Sequence, residues 1–401
     1  MRPARRAGGA LPVVILALAW LCAFSARTNT LTLGPVLPLI QKDLGMSYAE
    51  SGLLFSIPVV MMGLFAIPSG LIIARLGVKW VLLLSLAILG AGGGLRATTT
   101  NVPAMFVFTA LAGIGIGLVQ PVLPRLVKDW FAQRTGTMTG VYSNGFVVGA
   151  LAATTLTVPV LLPAFGALTW RGPFLLWSAV VWATALAWLF VPGQRHREKE
   201  SLRPFGRIFR NRLAWIVSGV FFTQTVMFYI LNAWLVNYYQ SFGWSLGQAA
   251  STLGALTAGS VIGGSGGPMA SDRWGRRPLL LVSALLSIVG VLGLLFVPEQ
   301  VYWLWPFIMG VSLSALFTVS LVIPVDVAPP DEVGAFSGLM MAVGYSGVLG
   351  GPAVIGWMRD VSGTHVWGVL TLLAMCFVQL GLVLQTPETA PRLRPGSVQE
   401  A

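Results

Sequence analysis

Residues 213–271 run for 59 positions without one Asp, Glu, Lys or Arg. No water-facing domain tolerates such a stretch, because ordinary globular chains carry about 25% charged residues. The run has company: 51–74, 97–124, 135–170, 172–194, 278–298, 300–325 and 333–358 are equally free of charge. Of the 401 residues, 56% are hydrophobic and only 9% charged. Roughly 20 apolar residues cross about 30 Å of hydrocarbon as a helix, so each shorter run has room for one span. The longest holds two, with a turn over 241–247. Backbone polar groups cannot stay bare in lipid, which leaves helices or closed barrels. Uninterrupted apolar runs favour helices.

Turn signals divide the chain into twelve predicted spans, near 11–40, 50–72, 79–97, 103–127, 136–161, 171–192, 213–239, 248–270, 279–297, 303–325, 334–357 and 366–386. With the N-terminus inside, 20 of the 25 Lys and Arg fall on one face. Lys42, Arg96, Arg171 and Arg359 sit near the other, and Arg27 lies within span 1. This is the positive-inside pattern. The net charge of +12 therefore reports topology and not a nucleic-acid partner, since no basic patch is interleaved with aromatics as single-strand binding needs. We expect an integral protein of a bacterial cytoplasmic (inner) membrane, monomeric, with both termini cytoplasmic. Cys22 and Cys376 fall inside spans without metal-ligand spacing and read as buried inert thiols. Arg2, Arg5 and Arg6 before an apolar run imitate a cleavable signal. We expect no cleavage, for the reason that follows.

The chain is written twice. At a constant offset of 198, Gly45 and Ser47 meet Gly243 and Ser245, Arg75 and Gly77 meet Arg273 and Gly275, and Lys79 meets Arg277. Ser85 meets Ser283, and Gly136, Gly140 and Gly149 meet Gly334, Gly338 and Gly347. Span 1 thus matches span 7, and removing it would leave one half incomplete. The expected layout is a tail over 1–10, a six-helix bundle over 11–192, a basic linker over 193–212, a second six-helix bundle over 213–386 and a tail over 387–401. Parallel six-helix repeats are the architecture of major facilitator transporters, whose substrate site lies near mid-membrane between the halves. The polybasic linker suits anionic lipid head groups.

The loop Asp272-Arg273-x-Gly275-Arg276-Arg277 resembles the short loop motif of the major facilitator superfamily. That resemblance implies that the acid caps a neighbouring helix start and pairs with basic residues, fastening the halves in one access state. The first-half counterpart, Gly70-x-x-x-Ala74-Arg75-x-Gly77-x-Lys79, lacks the aspartate, and Pro268 stands where the motif usually has glycine. The segments "LTLGPVLPLIQKDLGMS" over 31–47, "GGGLRA" over 92–97, "TGTMTGVYSNG" over 135–145 and "TWRGPFLLWS" over 169–178 are similar to the cyanate and 2-nitroimidazole transporter subfamily. The similarity covers nearly the whole chain and does not carry substrate identity with it.

Arg27 stands out among candidate site residues, with 20 uncharged residues before it and 14 after. A cation at that depth costs at least about 2.5 kcal/mol and normally faces the bundle interior or a wet cavity. The competing reading is snorkelling to an interface. All 13 carboxylates are assigned to loops, helix ends or tails, so the missing counter-charge is expected to be the substrate, a small anionic or strongly dipolar solute. A guanidinium fork binds such groups through two parallel hydrogen bonds. Asn29, Gln120, Tyr142 and Asn144 join it as candidate substrate contacts in the first half. In the second half the candidates are Gln224, Tyr229, Asn232, Thr318 and Tyr345. Thr225, Tyr229, Asn232 and Tyr239 share one stripe of span 7, where helix-to-helix bonding is an equal alternative. The small pairs Gly113 and Gly117, and Gly145 and Gly149, read as packing sites.

No cofactor is expected. A membrane-embedded enzyme needs a nucleophile and base or a metal cluster, and both histidines, His196 and His365, are placed in loops. A proton-coupled multidrug or metabolite exporter of the same fold remains the alternative, although no carboxylate lies at membrane depth to carry the proton. A sensor that binds without transporting has the same sequence signature.

Overall fold

The computed structural model describes residues 10–131, 134–166, 169–192, 205–296, 301–329 and 332–389. Both tails, most of the basic linker and His196 lie outside them. Among the described residues all regular structure is helical. In chain order the α-helices are α1 Ala10–Leu31, α2 Leu33–Leu44, α3 Tyr48–Leu76, α4 Val78–Arg96, α5 Val102–Trp130, α6 Thr135–Leu156 and α7 Leu162–Phe165. They continue with α8 Arg171–Leu189, α9 Arg212–Gln240, α10 Leu246–Trp274, α11 Arg276–Leu295, α12 Leu304–Val327, α13 Val333–Ser362 and α14 Val366–Leu384. Helices α1 and α2 form one broken span, and a π-helical turn over Thr157–Leu161 joins α6 to α7. Twelve long helical segments result, as the sequence predicts.

Among the described residues eleven of these segments are long and apolar enough to cross a membrane. The remaining one, α10, carries seven glycines in its 29 residues. Those glycines explain how it stays inside the bundle despite its composition. A side chain at Gly259 or Gly263 would strike the carbonyls of Phe307 or Val311 on α12. The two helices meet backbone to backbone, the contact that small residues allow.

The helices group into two compact units. One comprises α1, α2, α3 from Ile57 onward and α4–α8; the other comprises Ser47–Ser56 and α9–α14. The core of the first includes Leu18, Cys22, Leu86, Ile116, Val122 and Val181. That of the second includes Phe221, Leu280, Leu316, Phe336 and Met340.

The repeat read in the sequence is also present in the backbone. Helix α3 maps onto α10 end for end at the offset of 198. Gly77 (φ 81°, ψ 160°) and Gly275 (φ 98°, ψ 157°) adopt the same conformation before α4 and α11, one essentially restricted to glycine. The match fails in span 1. The α1–α2 span is interrupted at Thr32, whereas α9 runs unbroken through 29 residues. Pro35, in the first turn of α2, has no N–H to give and its ring conflicts with the carbonyl four residues earlier. Ala233 occupies the matching place in α9. Pro58, in contrast, is accommodated inside the continuous α3.

Candidate functional site

Arg27 sits on α1, half-buried, and its Nε is buried without a hydrogen-bond partner. No carboxylate lies within ion-pair distance of it among the described residues. Trp20, Phe24 and Arg27 form one face of the helix at helical spacing. Trp20 stacks on Phe24 with centroids 5.4 Å apart, and Phe24 meets the edge of Trp177 at 5.8 Å. Helix α6 closes on this face because two of its residues lack side chains. A Cβ on Gly145 would collide with the Trp20 carbonyl, and one on Gly149 would lie 2.6 Å from the Phe24 oxygen and 3.2 Å from Arg27 Cβ. Asn144, exposed on α6, accepts from Trp20 Nε1 at 3.4 Å. Arg27 and Asn144 are thus served by neighbouring turns of the same α1–α6 contact.

Asn29 points elsewhere, to α4. It is fully buried, and its backbone oxygen accepts from Arg96 Nη2 at 3.0 Å. Its Oδ1 accepts from the same nitrogen. Arg96, the last residue of α4, is only 1% exposed, although the sequence groups it with charges near a membrane face. Its guanidinium lies 4.5 Å from the Phe174 ring centroid, and its Nε has no partner. Asp43 is engaged elsewhere: it binds Arg171 Nη2 at 2.9 Å and Trp170 Nε1 at 3.1 Å. Two arginines of this unit are therefore enclosed to different depths without an acidic neighbour among the described residues.

The other candidates are scattered. Gln120 is exposed on α5, and Tyr142 belongs to the first unit's apolar core, edge-on to Phe146. In the second unit, Gln224 donates to its neighbour Thr225, Asn232 to Phe228 O at 2.9 Å, and Thr318 to Ser314 O at 3.0 Å. These bonds stay within single helices, so Gln224 and Asn232 do not bind a neighbouring helix. Tyr229 packs edge-on to Phe55 and Phe228, and Tyr345 edge-on to Phe221. Tyr239 reaches Tyr302 O at 2.9 Å, near the helix end. A cavity of about 30 Å³ in this unit is lined mostly by apolar residues, among them Ile230, Trp234 and Leu372.

Next to the loop between α10 and α11 the hub is Arg276, the first residue of α11 and only 6% exposed. Its Nε binds Asp326 at 2.9 Å, and its Nη1 binds Asp272 and Ser271. Asp272 pairs with a basic residue as the motif implies, yet the start of α11 is held by a different carboxylate. Glu388 accepts from the backbone N–H groups of Arg276 and Arg277 at 2.9 and 3.2 Å, the anion position that a helix N-terminus favours. Arg273 is exposed. Arg277 Nη2 donates to Leu384 O, and its repeat mate Lys79 donates likewise to Leu189 O at 2.8 Å. Arg75 is exposed, and the surroundings of Gly70 lie outside the described residues.

The model of the Major Facilitator Superfamily matches residues 19–352. The chain belongs to that superfamily. It is an integral membrane transporter of this family, with relatives along almost its full length. It is 27% identical over 378 residues to the cyanate transport protein CynX of Escherichia coli K12, covering 92% of this chain and 96% of that one. To the 2-nitroimidazole transporter of the same organism it is 27% identical over 364 residues, covering 89% and 90%. Its fold is that of the nucleoside transporter NupG, represented by a crystal structure of a point variant, with a TM-score of 0.79 and 14% identity over 94% of this chain and 99% of that chain.

Against this superfamily background, sequence reasoning missed Arg96, Gly93 and Ser178. A side chain at Gly93 would collide with Asn29 Nδ2 and Ser178 Oγ, and neither polar atom has a partner. The available signal was the glycine run ahead of Arg96 in "GGGLRA". Three successive glycines at the end of a span allow close approach on several sides at once, so a charge just after them need not be at a surface.

Proposed function

We propose that this transporter moves a small anionic or strongly dipolar solute by alternating access between its two six-helix halves, with Arg27 as the residue that receives the negative group. One observation carries the proposal. The Arg27 guanidinium stands half-buried in span 1 with an unpartnered Nε and no carboxylate beside it among the described residues. An enclosed cation without a mate is costly, and an anion that enters and leaves supplies the mate only when needed. The names of the two relatives agree with this chemistry, one a cyanate and the other a nitroimidazole carrier. Trp20 and Phe24 supply flat surfaces beside the charge, and Asn144 a neutral hydrogen-bonding group on the facing helix. We place the protein in a cytoplasmic membrane as a monomer with both termini inside, and assign it no enzymatic step.

The test is a thermal-shift screen of purified protein against sodium cyanate, 2-nitroimidazole and small organic acids. A ligand that binds only the folded form raises the apparent midpoint. At least one anion should raise it in the wild type, and Arg27→Ala should lose that shift while keeping its own midpoint. An Arg27→Ala protein that responds like the wild type would overturn the assignment.

A further inference from the structure

We infer that Arg96 is a positioning residue for Arg27: by gripping Asn29 at the break in span 1, it sets where the substrate-binding arginine stands. This rests on the reading of Arg27 given above and adds a residue that the substrate never touches.

Three observations converge. The first is the break itself. Helix α1 ends at Leu31 and α2 starts at Leu33, with Pro35 unable to supply an N–H to the preceding turn. The last carbonyls of a helix lack intrahelical partners and carry partial negative charge. Arg96 Nη2 donates to the Asn29 carbonyl in that last turn, and to the Asn29 side chain as well.

The second is that the contact is cut to fit from both sides. Gly93, one turn before Arg96, leaves room for the Asn29 amide, and Phe174 backs the guanidinium. The charge at Arg96 is 99% out of reach of solvent and meets no acid within 4.0 Å among the described residues. A buried cation so poorly neutralised is not the cheapest way to fill space, which points to its two hydrogen bonds as the reason it is there.

The third is the internal repeat, which provides a natural control. At the offset of 198, Arg27, Asn29, Gly93, Arg96 and Ser178 become Thr225, Met227, Val291, Leu294 and Cys376. In the second unit the corresponding spot is a contact between sulfurs, Cys376 Sγ to Met227 Sδ at 3.6 Å. Where span 7 has no proline break and no arginine to place, the polar grip is absent.

The experiment has two arms. In the first, cyanate uptake into proteoliposomes is measured for wild type, Arg27→Ala, Arg96→Met and Arg96→Lys. Arg96→Met is expected to raise KM by at least about tenfold with Vmax within about threefold, because a displacement near 1 Å costs that much or more in a positioned site. Arg96→Lys keeps the charge and one hydrogen bond, and should fall between wild type and Arg96→Met. It carries the arm alone if Arg96→Met does not insert. A wild-type KM in either Arg96 variant, with uptake lost in Arg27→Ala, overturns the inference. Normal uptake in Arg27→Ala overturns the underlying anion site instead.

The second arm needs no substrate. In a chain with Cys22→Ala and Cys376→Ala, the modification rate of Arg27→Cys by an anionic methanethiosulfonate reagent is compared with and without Arg96→Lys. A rate change of about fivefold or more is expected from a displaced side chain. An unchanged rate means that Arg96 does not place residue 27, and overturns the proposal whatever the substrate.

Discussion

Spans 1 and 7 are the same element written twice, and they differ where a transporter would need them to. Span 7 is continuous, and its two candidate amides close on their own helix: Gln224 on Thr225, Asn232 on Phe228. Span 1 is broken by a proline, carries Arg27 in place of Thr225, and is tied to α4 by an arginine where the repeat has leucine. In the second unit the buried cation next to the α10–α11 loop is paired, Arg276 with Asp272 and Asp326. A duplicated scaffold supplies two equivalent positions, and on the reading proposed above only one of them holds a charge for a substrate. The copy that holds it has departed furthest from a regular helix.

The largest effect should come from erasing the difference in span 1. Arg27→Thr gives span 1 the residue of span 7 and should reduce uptake by about a hundredfold or more, as loss of a charged partner in an enclosed site does. Uptake within threefold of wild type would make the two spans equivalent after all. Next is the paired charge of the second unit. Asp326→Ala leaves the buried Arg276 only the exposed Asp272 as an acidic partner, and removing one member of a buried ion pair costs up to about 3–5 kcal/mol. Thermal unfolding in detergent should show a large drop in midpoint, and an unchanged midpoint would mean that the pair is not a fastening. Asp272→Asn probes the same hub from its exposed side, the Asp272 side chain being 67% exposed. Here the expected loss is below about 1 kcal/mol, with slowed uptake at unchanged KM. The smallest effect belongs to Asn232→Ala, expected to leave KM within about twofold because its amide is satisfied inside α9. A larger rise would turn the span 7 stripe into part of the site and weaken the contrast.

A further contrast separates the units at their ends near Asp43 and His365. The first has the Asp43–Arg171 ion pair. In the second, burial and then the charge of Arg359 hold His365 from the ordinary 6.5 down to about 4. Tyr48 and Tyr238 pack edge-on to it, and Asp360 accepts from the Tyr48 and Ala49 amides nearby. The unfolded chain takes up a proton on this histidine near pH 6.5 while the folded one stays neutral. The stabilising contribution is therefore full above about 6.5, declines as pH falls, and is gone near 4. His365→Gln should flatten the midpoint of purified protein across that window. A slope equal to wild type would show that His365 does not set it.

Hydropathy and spacing alone dictated the fold: apolar helices, two repeats, and the glycines that turn the chain between helices within each. These follow from hydropathy, charge-free length and a constant offset, which are additive along the chain and need no knowledge of neighbours. That no carboxylate stands beside Arg27 among the described residues agrees with the sequence reading, because the positions of all 13 acids can be read in one dimension. The fate of individual polar residues could not be read that way. Tyr142 went into an apolar core, Asn29 turned to α4, and Glu388 from beyond the last helix took the first amides of α11. Arg96 ended inside the first unit and not at its edge. Each of these outcomes depends on which helix faces which, and on a few missing side chains that let backbones meet. Hydrogen bonds reach about 3 Å, far less than the residue separations in sequence they span, so only the packed tertiary structure could decide them.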